Sequence, residues 1–226
     1  MKPCINNLAV IFDFNGVLVF DSPIHEAAWN EFATQHRGYP MTEKEIETYV
    51  HGRTNHQILN YLIDQHLSIT EEQKLAGEKE DLYRQLCLKK GDLFCLSPGA
   101  VTLINDLRAK QIPYTIATSS GRDNIDFYIK ELNLGSLFNL SDIIFDDGTL
   151  PGKPAPDIYL KAAEVLKKEP KYCIVIEDSL SGIASANNAG IGHIIALSEP
   201  QKHHSLREVS GVTSVVGSLA EISLFL

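Results

Sequence analysis

Four short stretches of the 226-residue chain carry side chains whose types and spacing could do chemistry together. The first is Asp13-Phe14-Asn15-Gly16, directly after an apolar run. Ligands of an open parallel sheet gather outside the carboxyl ends of its strands, so Asp13 stands where a reacting carboxylate is expected, although the same composition also makes a plain turn. The second, Thr118-Ser119-Ser120-Gly121-Arg122, leads from an apolar stretch into a helical pattern through Ile125, Ile129 and Leu132. A hydroxyl followed by backbone N–H groups at a helix N-terminus is a seat for phosphate, and the same residues serve equally as a simple helix cap. The third, Gly152-Lys153-Pro154-Ala155-Pro156-Asp157, holds one lysine in a loop stiffened by prolines, the second of which can start the next helix. Its ammonium could neutralise a phosphoryl group or an attacking carboxylate, or simply be solvated. The fourth is Glu177-Asp178-Ser179, after the apolar run ending at Ile176. Two adjacent carboxylates beside a buried strand are costly unless a cation or metal meets them, and hard oxygen ligands without a nearby histidine favour Mg²⁺ over zinc.

These stretches need strands and helices to position them. Nearly uninterrupted apolar runs at 8–12, 114–117, 142–145, 172–176, 193–197 and 214–216 suit parallel strands buried on both faces. Between them, 98–110 repeats apolar residues at Ala100, Leu103, Ile104 and Leu107, and 156–168 at Tyr159, Ala162, Ala163 and Leu166, which is helical spacing. After the fourth stretch, Gly182, Ala184, Ala186, Ala189 and Gly190 give a helix a small-residue face. Strand and helix alternate, the mark of a doubly wound α/β sheet. Only the region from about 22 to 93 breaks the alternation, with helical patterns at 24–35, 42–50, 54–65 and 70–89 and no convincing strand. Thr42 with Glu45, and Ser68 or Thr70 with the glutamates that follow, mark helix starts. The reading is an all-helical insertion after the first strand, with hinges at 20–23 and 90–97. Residues 1–20 and 95–226 then form the α/β core, and 21–94 the inserted domain.

Composition narrows the function classes. Apolar residues make up 44% and charged residues 22%, ordinary values for a globular chain. A formal charge of −9 works against unspecific attraction to nucleic acid or an anionic membrane, so an anionic substrate needs a local positive site. Cys4, Cys87, Cys95 and Cys173 form no CxxC pair, which argues against a zinc knuckle or disulfide framework. With no apolar h-region near Met1 and no run long enough to span a membrane, a cytoplasmic protein is expected. Asp146-Asp147-Gly148 reads as a turn close to Lys153, and His203-His204 lacks neighbouring ligands.

Taken in order, Asp13-x-Asn15-Gly16, Thr118, Gly-Lys153-Pro-x-Pro-Asp and Glu177-Asp178-Ser-x-x-Gly resemble the motifs of the haloacid dehalogenase superfamily. Within it the chain is most similar to the branch of β-phosphoglucomutase and related sugar-phosphate phosphatases. The resemblance spans nearly the whole chain. It implies a Rossmann-like core with a helical cap and phosphoryl transfer through an aspartyl phosphate. Asp13 would be the nucleophile. Mg²⁺ would sit on the Asp13 carboxylate, the Asn15 backbone carbonyl and Asp178, with Glu177 behind them. Thr118, the Ser119 N–H and Lys153 would hold the phosphoryl oxygens, and closure of the cap would exclude water.

The family pattern has a second aspartate where this chain has Asn15. That aspartate protonates the leaving oxygen, whereas an amide donates a hydrogen bond but cannot shuttle a proton. The substitution reads in three ways: a deliberate Asp-to-Asn change that traps a complex, a natural protein with slow turnover or a substrate with a better leaving group, or a phosphometabolite-binding protein without catalysis. In the insertion, the stretch 21–29 is similar to the branch's first cap helix. His25 would face the site or be merely structural, and Trp29 reads as core. Gly52-Arg53-Thr54 is similar to the cap loop that grips a distal phosphate in β-phosphoglucomutase, with Lys79 as a second cation. The expectation is a Mg²⁺-dependent phosphatase acting on a small phosphorylated metabolite such as a sugar phosphate, with a mutase as the alternative. Neither nucleic acid nor membrane is expected as a partner, and the chain should be a monomer or weak homodimer.

Overall fold

A computed structural model describes residues 8–50, 53–63 and 67–224; Cys4 and Gly52 lie outside the described residues. In chain order the main elements are β1 (Ala9–Phe12), α1 (Ser22–Arg37), α2 (Glu43–Glu45), α3 (Asn55–Leu62), α4 (Ile69–Lys90), α5 (Ala100–Ala109), β2 (Tyr114–Gly121) and α6 (Arg122–Glu131). They continue with β3 (Ile144–Asp146), α7 (Asp157–Val165), β4 (Cys173–Glu177), α8 (Leu180–Asn188), β5 (His193–Leu197), α9 (His203–Arg207) and β6 (Val212–Val216). The chain forms two compact units, one made of the chain up to Phe20 and from Cys95 onward, the other of Asp21–Phe94.

In the first unit six strands make one sheet in the order β3-β2-β1-β4-β5-β6, and every pairing is parallel. This is the doubly wound Rossmann-like order, in which the chain runs outward from β1 on one side and returns to build the other. The switch point falls between β1 and β4, the strands that deliver Asp13 and Glu177. All four residues of β1 and all five of β4 are buried, as both-face burial requires. Ile158, Tyr159, Ala162 and Ala163 of α7 and Ile183 and Ala186 of α8 join Ala9, Ile11 and Val175 in one core cluster. The points where the chain leaves and re-enters this unit are tied together. Ser97 donates from its backbone N to Leu18 O at 2.8 Å and from Oγ to Val17 O at 2.6 Å.

Three boundaries differ from the sequence expectation. β2 runs on to Gly121 instead of stopping at 117, so Thr118, Ser119 and Ser120 are strand residues. α6 therefore starts from Gly121 with no side-chain cap, and the reading of these hydroxyls at a helix N-terminus is corrected. The third strand comes later, because 140–142 tighten into a 3₁₀ turn, and the sixth starts earlier, at Val212.

The second unit is helical among its described residues. Trp29, Phe32, Ile58 and Leu59 lie at the centre of its core, so Trp29 packs as expected. Capping boxes start three helices: Thr42 with Glu45, Thr54 with Gln57, and Ser68 with Glu71. Of the two expected starts near 70, Ser68 is the cap. The expected helix over 42–50 is instead the single turn of α2 followed by a π-helical turn, Ile46–Val50. The helix expected over 54–65 ends at Leu62, and 64–66 lie outside the described residues.

Candidate active site

The register of β1 against β4 pairs Ile11 with Val175 and Phe12 with Ile176, so Asp13 and Glu177 leave the sheet side by side. Asp13 is fixed by its own backbone, whose N–H donates to Ile176 O at 3.0 Å. Beyond it the chain turns sharply: Gly16 N–H donates to Val19 O at 2.8 Å, and Gly16 sits at φ +80°. A Cβ there would overlap the Asp178 carboxylate, so glycine lets the turn pass against that side chain. Gly182 plays the same part behind the site, where a Cβ would overlap the Glu177 carboxylate.

Lys153 comes from the loop before α7, next to a cis bond to Pro154. Two α8 side chains hold that loop, Ser185 donating to Ala155 O at 2.6 Å and Asn188 to Pro154 O at 3.0 Å. Pro156 stands at the N-cap of α7, as its sequence position implies. The Lys153 ammonium donates to Asp13 Oδ1 and to Glu177 Oε1, both at 2.6 Å. Glu177 is fully buried and saturated. Its Oε1 also accepts from Tyr159 OH at 2.8 Å, and its Oε2 accepts from the backbone N of Asp178 and Ser179 at 2.9 Å and from Ser179 Oγ at 3.0 Å. These bonds aim the lysine and shape the chain that carries Asp178.

The charges do not balance. Burial drives the Asp13 pKa up to about 7 despite the adjacent Lys153 ammonium. Burial, then the negative charges of Glu177 and Asp13, raises the Asp178 pKa well above the carboxylate range. Burial also opposes ionisation of Glu177, but Lys153 and the surrounding donors outweigh it and hold its pKa low. Burial likewise works against the charged form of Lys153, and the pull of Asp13 and Glu177 overrides it. One ammonium thus faces three carboxylates, and Asp13 and Asp178 carry the uncompensated share. Ligand oxygens of Asp13, Glu177 and Asp178 lie within 4.8 Å of one another, an all-oxygen set that fits a small hard dication such as Mg²⁺.

The remaining residues of this site lie around that cluster. Thr118 is buried, and its Oγ1 accepts from Ser120 N at 3.1 Å. Ser119 is exposed, and Ser119 and Lys153 line the same small recess with Asp146 and Ile158. Asn15 Oδ1 accepts from Ser120 Oγ at 2.7 Å, and its Nδ2 donates to Tyr128 OH at 3.0 Å. Asp146 and Asp147 form the expected turn by accepting from Gly148 N at 2.9 Å and Thr149 N at 3.0 Å.

The helical unit, taken by itself, holds the other three candidates. Lys79 is 2% exposed, and its ammonium contacts His25 Nδ1 at 2.9 Å and Glu80 Oε1 at 2.8 Å. That arrangement corrects the reading of Lys79 as a cation presented to phosphate: it belongs to a buried charge network. His25 Nε2 lies 3.5 Å from Asp21 Oδ2, and its ring stacks on Tyr83 at 3.9 Å. Arg53 is exposed beside a cavity.

Sequence reasoning missed Tyr159, Ser120 and Tyr128 as holders of Glu177 and Asn15. Tyr159 follows the Gly-Lys-Pro-x-Pro-Asp stretch by two residues and was visible only as an apolar helix position. For Tyr128 no local signal exists, because it reaches Asn15 across 113 residues of chain.

The model of the haloacid dehalogenase-like hydrolases matches residues 8–190. A probable pseudouridine-5'-phosphatase of Drosophila melanogaster is 29% identical, over 93% of this chain and 89% of its own. Hexitol phosphatase A of Escherichia coli is 28% identical, over 95% and 92%. The crystal structure of a family IA, variant 3 hydrolase from Entamoeba histolytica superposes with a TM-score of 0.90 at 41% identity, covering 95% of both chains. With its sheet order, its switch-point carboxylates and a family match over most of its length, the chain belongs to the haloacid dehalogenase-like hydrolases.

Proposed function

We propose that the protein is a Mg²⁺-dependent phosphatase that passes the phosphoryl group of a small phosphorylated metabolite to Asp13 and from there to water. The observation that carries this reading is the pairing of Asp13 with Lys153 at 2.6 Å in a buried cluster short of positive charge. An Asp13 oxygen attacks phosphorus, the bond to the leaving oxygen breaks, and water later attacks the same phosphorus to regenerate the carboxylate. Lys153 offsets the repulsion between that carboxylate and the phosphoryl oxygens, and Glu177 with Tyr159 holds the lysine in place. Thr118 and the Ser119 N–H are assigned to the phosphoryl oxygens. Asp13, Asp178 and the Asn15 carbonyl would hold Mg²⁺, which when bound supplies positive charge for the transferring group.

Asn15 sets the pace. Its amide can donate a hydrogen bond to the leaving oxygen but has no proton to give, so a basic sugar alkoxide leaves slowly. The relatives named as pseudouridine-phosphate and hexitol phosphatases support a phosphorylated small molecule as substrate. The test is phosphate release from a panel of sugar and nucleoside phosphates, with and without Mg²⁺. Release that needs Mg²⁺ and vanishes in Asp13→Asn is the expected result. Equal release by Asp13→Asn would refute the assignment.

A further inference from the structure

When Asp13 attacks phosphorus, the expelled oxygen leaves either with a proton or as an anion. In the core unit, the groups beside Asp13 hold their hydrogens for other partners. Lys153 donates to Asp13 Oδ1 and Glu177 Oε1, both at 2.6 Å, so passing a proton on would take away the ammonium that both carboxylates share. Tyr159 is buried and donates to Glu177 Oε1 at 2.8 Å. Glu177 accepts on both oxygens, from Lys153, Tyr159 and the Asp178 and Ser179 N–H groups, which is the pattern of a carboxylate and not of an acid.

Position 15 is seated as an amide. Ser120 Oγ donates to Asn15 Oδ1 at 2.7 Å, and Asn15 Nδ2 donates to Tyr128 OH at 3.0 Å. Tyr128 is fully buried and its ring stacks on Phe14 at 4.3 Å, so α6 fixes Asn15 and the residue before it together. An amide, an aliphatic hydroxyl and a phenol donate hydrogen bonds but do not release a proton at neutral pH. These groups, with the Lys153 ammonium, stabilise a departing anion and do not neutralise it. The anion must therefore be stable by its own chemistry. A sugar alcohol is roughly as weak an acid as water, with a pKa of about 15.7, whereas a carboxylic acid ionises near about 4. A carboxylate thus departs from phosphorus without a proton. The product on Asp13 is itself a mixed carboxylic–phosphoric anhydride, so an acyl phosphate exchanges one such bond for another at little cost. A diphosphate leaving group would instead bring more negative charge to a cluster in which one ammonium already faces three carboxylates.

We propose that the preferred substrates are acyl phosphates, the mixed anhydrides of a carboxylic acid and phosphoric acid. An Asp13 oxygen bonds to phosphorus, the bond from phosphorus to the acyl oxygen breaks, and its electron pair leaves on the carboxylate. Water then attacks the same phosphorus, its proton stays with the released phosphate, and Asp13 returns as a carboxylate. The inference deepens the phosphatase reading and rests on Asp13 as its nucleophile. The test uses the full chain with Mg²⁺, with the rate of Asp13→Asn subtracted. It compares kcat/KM, which reads the steps up to departure of the leaving group, for acetyl phosphate, glucose 6-phosphate, p-nitrophenyl phosphate and phenyl phosphate. The two aryl esters share a ring and differ in the acidity of the phenol released. Without a general acid, worth about 10²–10⁴-fold, acetyl phosphate should exceed glucose 6-phosphate by about 10²-fold or more, and p-nitrophenyl phosphate should exceed phenyl phosphate likewise. Asn15→Asp supplies that acid and should narrow both gaps by about 10²-fold. Glucose 6-phosphate at or above acetyl phosphate overturns the proposal and leaves the phosphatase reading standing. Gaps unchanged in an Asn15→Asp variant of native circular dichroism overturn it as well, because the proton then comes from elsewhere. The comparison within the unaltered chain decides the matter if the variant fails to fold. If none of the four releases phosphate, the phosphatase reading fails, and the intact mass after exposure to acetyl phosphate decides this one. A gain of one phosphoryl group that Asp13→Asn abolishes supports it, and no gain overturns it.

Discussion

Each unit of this protein buries a lysine against two partners, and the two sites end in different electrostatic states. In the core unit, Lys153 meets Asp13 and Glu177 with Asp178 close by, and Asp13 is driven up to a pKa of about 7. In the helical unit, Lys79 meets Glu80 and His25, with Asp21 beyond the histidine and the Trp29 ring 5.1 Å from the ammonium. Burial is the largest influence on both Asp13 and Glu80 and opposes ionisation of both, yet Glu80 is held at about 2 by Lys79, His25 and the amide of Asn55. The difference lies in the count of counter-charges. Lys79 bonds one carboxylate, Glu80, which also accepts from Asn55, whereas Lys153 is shared between Asp13 and Glu177 with Asp178 close by, and a cluster left that short of positive charge has work for a cation.

The largest expected effect is on turnover: Asp13→Asn should reduce phosphate release to background, and Lys79→Met should not. Next, Asn15→Asp should restore proton transfer to the leaving oxygen and raise turnover of sugar phosphates by about 10²–10⁴-fold in steady-state assays. Ser120 and Tyr128 hydroxyls can both rotate to donate to the new carboxylate, so the exchange should fold normally. Lys79→Met strands Glu80 without its cation and should cost about 3–5 kcal/mol in denaturant unfolding, with or without Mg²⁺.

A pH series sharpens the contrast. The folded Glu80 pKa of about 2 lies below its ordinary value of 4.5. Its contribution, about 3 kcal/mol, is present above pH 4.5 and lost as pH falls through the folded value toward 2. Lys79→Met should flatten that slope. The smallest effect comes from the metal. Mg²⁺ at a hundred times its dissociation constant should add about 2.7 kcal/mol to unfolding stability, and Asp178→Asn should remove most of that gain. A Mg²⁺ gain unchanged in Asp178→Asn would mean that the ion binds elsewhere.

Much of this organisation was legible because it follows from local patterns. Both-face apolar runs give buried parallel strands, and the loss of alternation between 22 and 93 marks the helical insertion. Motif order gives Asp13, Lys153 and Asp178 in one cluster because loops at the same sheet edge must converge. Other features depend on distant partners. The extension of β2 through Thr118-Ser119-Ser120 is set by pairing with β3, at Gly121 and Asp146, and not by the hydroxyl-rich sequence, which favours a cap. Lys79 reads from the sequence as a second cation for phosphate until Trp29, Tyr83 and His25 close around it. Sequence places Glu177 behind the metal, but its five hydrogen bonds, including that from Tyr159, require the folded chain.

The most direct test of the central claim is capture of the phosphoenzyme. Protein turning over a phosphate ester with Mg²⁺ is quenched with borohydride, which reduces an acyl phosphate to the alcohol, and its peptides are mapped by mass spectrometry. The account predicts homoserine at position 13, dependent on Mg²⁺ and on substrate. Sustained turnover with Asp13 unmodified, or trapping at another carboxylate, would contradict it.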